Sequence, residues 1–165
     1  VILEESISLL SCGTVNVDEG EFSNVVSFGW GEVFIRNSIL NKQVNIYGGN
    51  VSLQDSTIKG RIVTKRQSGN VEILRCNIIE GAGISINDQE EAGISIKDSY
   101  IASQNCGIFV YGFGIGEILI ENNQFLCERA MITVSVTAVM GNNLTKIRNN
   151  INVGKSTVRE YVLTG

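Results

Sequence analysis

The sequence predicts an all-β solenoid: one chain wound into about six or seven coils, three short strands to a coil, with almost no α-helix. Three observations predict it. One polar-interrupted phrase recurs along the 165 residues as VFIRNSIL, VSLQDSTI, VEILRCNI, ISIKDSYI and ILIENNQF. These phrases alternate with period two and are rich in Val and Ile, the pattern of half-buried strands, and no long window keeps a helical 3.6 period. Finally, the chain has 18 Gly and no Pro. Its turns must therefore be made by Gly, Asn, Asp and Ser, which tolerate positive φ.

The elements follow from the polar sixth residue of each phrase, taken as an anchor. The anchors are Ser38, Ser56, Cys76, Ser99, Asn123 and, less regularly, Asn149, at intervals of 18, 20, 23, 24 and 26 residues. Apolar residues are required five and three places before the anchor and two after it. They occur at Val33, Ile35, Leu40; Val51, Leu53, Ile58; Val71, Ile73, Ile78; Ile94, Ile96, Ile101; and Ile118, Ile120, Phe125. At Asn149 the rule gives Leu144 and Ile151 but turns Lys146 inward, and an earlier copy is expected around Cys12, behind Ile7 and Leu9. Each phrase reads as a strand, a sharp turn at the anchor and a second strand. A third strand follows in VNIY, RIVTK, GISIN, GIFVY and MITVS. Stacked coils would hydrogen-bond through their backbones about 4.8 Å apart. Small polar anchors would bond from coil to coil along the turn.

The phrase ILIENNQF and the strands beginning Gly-Ile resemble the right-handed parallel β-helix of the pectate lyase (pectin lyase-like) superfamily. That superfamily includes polysaccharide lyases, polygalacturonases, epimerases and bacteriophage tailspikes. The resemblance spans roughly residues 7–158. It implies a single β-helix domain over residues 1–165, cut from a longer chain, since the sequence opens on Val1 without an initiator Met. It also implies carbohydrate recognition, with a polysaccharide or surface glycan as partner. A homotrimer and an extracellular or virion-surface setting belong to the same expectation. If the chain were enzymatic, the resemblance implies a polysaccharide lyase or a glycoside hydrolase. The alternative is a structural or adhesive spacer, because the repeat encodes stacking and not chemistry.

The resemblance places sugar binding on the third strand of each coil. Alternation turns Val44/Ile46, Ile62/Thr64, Ile84/Ile86, Ile108/Val110 and Ile132/Val134 inward. Two columns face outward, one of Asn45, Val63, Ser85, Phe109 and Thr133, the other of Tyr47, Lys65, Asn87, Tyr111 and Ser135. The candidate ligand-binding residues are Tyr47, Lys65, Asn87, Phe109 and Tyr111. Aromatic rings can stack on sugar rings while amides and hydroxyls bond to the polar rim. The competing reading packs these rings under the loops that follow them. A lyase-like reading would use Lys65 as base and Arg66 to neutralise a uronate, with Asp88 nearby. Neither column holds an Asp or Glu, so no catalytic residue is assigned and the calcium cluster of pectate lyases cannot be carried over. Asp55 and Asp98, just before their anchors, would stand two coils apart at about 9.6 Å, a separation suited to an inverting carboxylate pair. Arg75 lies between them, one coil from each, and an alternating charge ladder explains the column without any substrate.

Composition excludes several other classes. A net charge of −4 and a pI near 4.9 argue against a nucleic-acid surface. No apolar run is long enough for a membrane-spanning helix. The absence of His removes the commonest metal ligand and general base. The four cysteines, Cys12, Cys76, Cys106 and Cys127, form no CxxC pair, so no metal site and no cofactor are expected. All four are expected to be free thiols, Cys12 and Cys76 because three coil spacings, about 14 Å, would part them. The run YGFGIG is followed by no helical pattern and is no dinucleotide loop. The acceptor triplet at Asn143 matters only in a chain secreted by a eukaryote.

Overall fold

The computed structural model describes residues 2–3, 7–11, 13–29, 31–65, 69–81, 83–90, 93–113, 116–136, 145–154 and 159–164. Every strand ladder among them is parallel, and the strands form three sheets of eight, eight and seven members. Each coil adds one strand to each sheet, and the count is close to the six or seven coils expected. The pre-anchor sheet holds Thr14–Asp18, Glu32–Arg36, Asn50–Gln54, Val71–Leu74, Ile94–Lys97, Ile118–Glu121 and Thr145–Arg148. The post-anchor sheet holds shorter strands, among them Ile39–Leu40, Thr57–Ile58, Asn77–Gly81, Tyr100–Ser103 and Gln124–Cys127. The third sheet includes Val44–Tyr47, Ile62–Lys65, Ile84–Glu90, Cys106–Phe113 and Ala130–Val136. This is the parallel β-helix that the periodicity predicts.

The core follows the alternation. The fifteen apolar residues flanking the five regular anchors are all buried, at 4% exposure or less. Register stacks like on like: Val51 with Val71, Val71 with Ile94, and Ile94 with Ile118. Burial of such branched side chains, each worth about 1.5–3 kcal/mol, holds the coils closed. In the third sheet Thr64 stands between Ile46 and Ile86. It is fully buried, and its Oγ1 finds no hydrogen-bond partner among the described residues.

The anchors form the expected ladder. The backbone N–H of Gly20 donates to Ser38 Oγ (3.1 Å), Ser38 N–H to Ser56 Oγ (3.1 Å), and Cys76 N–H to Ser99 Oγ (3.1 Å). Ser99 N–H continues it to Asn123 Oδ1 and Asn123 N–H to Asn150 Oδ1, both at 3.0 Å. Each serine hydroxyl then donates to the carbonyl two residues back, at Arg36, Gln54 and Lys97. A small acceptor that is also a donor satisfies two buried backbone groups at a turn too sharp for the sheets to reach.

Both ends of the series need correction. The last anchor is Asn150, not Asn149, because Ile120 pairs with Ile147 and Glu121 with Arg148. One residue of slip exchanges the faces: Ile147 packs on the core and Lys146 is exposed. The first anchor is Gly20, with Val15 and Val17 paired to Val33 and Ile35. Ile7 and Leu9 belong instead to the third sheet, in Ile7–Ser11. Cys12 and Leu144 lie outside the described residues.

The residues one before each anchor share a left-handed backbone. Their φ values are 55° at Glu19, 49° at Asn37, 50° at Asp55, 50° at Arg75, 51° at Asp98, 57° at Asn122 and 55° at Asn149. Asn and Asp tolerate this region better than other non-glycine residues. The sharp bend thus accounts for the Asn and Asp content of the column without any substrate. Asp55 is further occupied, accepting from Arg75 Nε at 2.6 Å and from Nη2 at 2.7 Å. That guanidinium holds the Asp55 carboxyl below its usual range.

Candidate functional site

The third sheet presents the face on which sugar binding is expected. Its inward pairs, from Val44/Ile46 to Ile132/Val134, are all at or near complete burial, so their neighbours must face outward. Pairing runs Tyr47 to Lys65, Lys65 to Asn87, and Asn87 to Tyr111, one continuous column. The adjoining column runs Val63 to Ser85, Ser85 to Phe109, and Phe109 to Thr133. Tyr47, Lys65, Asn87, Phe109 and Tyr111 therefore share one face and span three coil spacings, about 14 Å. Lys65 is exposed and the other four are half-buried.

Two expected outward positions are in fact covered. Val63 is 6% exposed and Ser85 only 1%. Asn87 Nδ2 donates to Ser85 Oγ at 3.0 Å, closing the polar side chain of one column over the other. Beyond Asn87 the register shifts, so that Gln89 and not Asp88 pairs with Gly112. Arg66 and the side chains of Asp88 and Ser135 lie outside the described residues, as does the triplet at Asn143. Beside the outward column, half-buried Cys106 Sγ lies 2.9 Å from Ile108 O and 3.5 Å from Thr133 Oγ1. Burial raises its thiol above the ordinary range.

Sequence reading missed a groove on the pre-anchor sheet. Here the outward column runs Phe34, Ser52, Glu72, Ser95, Leu119 in register. It floors a cavity of about 470 Å³. The signal lay in the middle letters of the phrases, large, small, acidic, small, large, but it becomes a groove only once the register is known. Ser52 Oγ donates to Glu72 Oε2 at 2.7 Å, and Gln54 Nε2 donates to the same oxygen at 3.0 Å. A second cavity, of about 740 Å³, lies at the corner after the post-anchor strands, beside Glu80, Ser103, Leu126 and Glu128. Among the described residues no three His, Cys, Asp or Glu side chains are grouped to hold a metal ion. No helix among them is long and apolar enough to cross a membrane.

Comparison with protein families, with curated proteins and with solved structures finds no match to this chain. The parallel β-helix therefore rests on the ladders and the buried columns.

Proposed function

We propose that this protein is a carbohydrate-recognising β-helix that holds a polysaccharide or surface glycan along the outward face of its third sheet without turning it over. The observation that carries the reading is the continuous column Tyr47–Lys65–Asn87–Tyr111, with Phe109 beside it. Same-column side chains recur about every 4.8 Å, comparable with the size of a sugar ring. A glycan laid along the helix axis would then meet a ring or a donor at each coil. Lys65 favours an acidic glycan, though one exposed charge contributes modestly. Binding without turnover follows from the two columns, which hold no Asp or Glu, and from a chain without His. A domain of this kind suits a polysaccharide-processing protein or a phage tailspike.

A second reading, a structural or adhesive spacer, has its own support. Many outward polar groups bond to neighbouring coils, as Arg75 does to Asp55 and Asn149 to Asn122 (3.1 Å). Glycan-array binding separates the two. Binding that falls at least tenfold in a Phe109→Ala, Tyr111→Ala double variant supports recognition at this face. Unchanged affinity in that variant removes the site from the third sheet, and an array with no positive glycan favours the spacer.

A further inference from the structure

From the groove of the pre-anchor sheet we propose a second saccharide site, one that takes a neutral oligosaccharide lying along the helix axis, with Glu72 as its central acceptor. The inference rests on the reading of the protein as a glycan binder, but it names a different face and a different class of glycan.

Shape comes first. Phe34 and Leu119 close the groove at its two ends, four coil spacings or about 19 Å apart, and the small residues Ser52 and Ser95 leave the trough between them. Along one rim the backbone is locked by its own side chains. Asn70 N–H donates to Asn50 Oδ1 and Gly93 N–H to Asn70 Oδ1, both at 2.8 Å. The trough is therefore rigid before any ligand arrives, which lowers the entropic cost of binding.

Chemistry then narrows the ligand. Ser52 and Gln54 both direct their hydrogens at Glu72 Oε2. They hold the carboxylate by one oxygen and leave the other to accept from vicinal hydroxyls. Phe34 supplies an aromatic ring for the apolar face of a sugar. Among the described residues no Lys or Arg lines the cavity, while Glu32, Glu72 and Glu117 do. Glu117 is additionally held by Lys146 Nζ at 3.4 Å. A uronate or sulfated chain would meet the carboxylates of Glu32 and Glu72, which no cation among the described residues pairs, so the favoured glycan is rich in hydroxyls and carries no anion. This is the reverse of the preference that Lys65 gives the third sheet.

The test is nuclear magnetic resonance titration of the full 165-residue chain with cellohexaose, maltohexaose and hexagalacturonate, repeated on Glu72→Gln and Phe34→Ala variants. The expected result is that a neutral hexasaccharide shifts the amides of Ser52, Glu72 and Ser95. Its affinity should fall about tenfold in Glu72→Gln, the loss of one charge-assisted hydrogen bond. Hexagalacturonate should leave those amides unmoved. The wild-type shift map reads the site even if a variant is poorly folded, and Glu72→Gln keeps the side chain's shape. Neutral probes that do not shift the trough, or that bind Glu72→Gln equally well, overturn the inference. If the neutral probes leave the trough unmoved while hexagalacturonate shifts Lys65 and Asn87, the third-sheet reading survives and this one falls. If no glycan shifts either face, both fall.

Discussion

At the scale of single residues, stability is set by which way a side chain points. Ile96 is fully buried between Ile73 and Ile120. Ile96→Ala should cost about 2–5 kcal/mol in chemical denaturation, because coils held by backbone ladders cannot collapse into the hole. Thr64→Val should act oppositely and raise stability by about 1 kcal/mol, since it removes a buried hydroxyl without a partner and keeps the branch. A Thr64→Val variant less stable than the parent would mean that the hydroxyl is bonded in solution.

The thiols belong to this scale as well. Cys76, Cys106 and Cys127 are thiols in no disulfide, and burial pushes Cys76 and Cys127 up to about 11. A thiol whose folded pKa lies above its unfolded value of 9.0 stabilises the fold fully below that value. That contribution is lost as pH rises through about 9 to 11. We expect a thiol reagent at neutral pH to modify Cys76 only on unfolding, and urea midpoints to fall across that alkaline window. A Cys76→Ser variant should show a smaller fall. Rapid modification of Cys76 in the folded protein would contradict the burial.

At the scale of the element, the corner at Gly83 leaves no room for a side chain. Gly83 has φ +79°, and a Cβ there would lie 2.3 Å from Gly107 O and 2.6 Å from Cys106 O in the next coil. Both obstacles are backbone and cannot swing aside. Gly83→Ala should therefore cost roughly 1–3 kcal/mol, combining left-handed strain with overpacking. A melting temperature equal to that of the parent would show that the corner can open.

The same scale shows how far elements were legible. The five regular phrases place their strands and faces correctly, because three apolar positions and one polar anchor all agree. The sixth is ambiguous, since Asn149 and Asn150 are both suitable anchors, and only pairing with Asn122 and Asn123 tells them apart. Gly20 escaped notice because its contribution to the ladder is a backbone N–H, which no residue type announces.

For the whole molecule, nearly every contact is between neighbouring coils, so stability should be graded along the axis and not uniform. Thr14–Asp18 and Thr145–Arg148 are the end members of the pre-anchor sheet among the described strands. Val17 and Ile147 are only partly buried, while Ile73 and Ile96 are fully buried. Amide exchange should be about tenfold or more slower at Ile73 and Ile96 than at Val17 and Ile147. Equal rates at all four would mean that the coils open in one step.

What the sequence determined by itself was the fold class, the inward residues and the presence of a polar turn column. Each of these is written as a local period of two and a repeat of 18 to 26 residues. What only the tertiary structure decided was everything that depends on register between coils. Stacking made an αL bend of the column that had suggested a carboxylate pair, with Arg75 bound to Asp55 across one coil. It covered Val63 and Ser85 on a face expected to be open. It also gathered Phe34, Glu72 and Leu119, far apart in the chain, into one groove. Residues two coils apart are separated by about 40 positions in sequence, and no local pattern carries their relation.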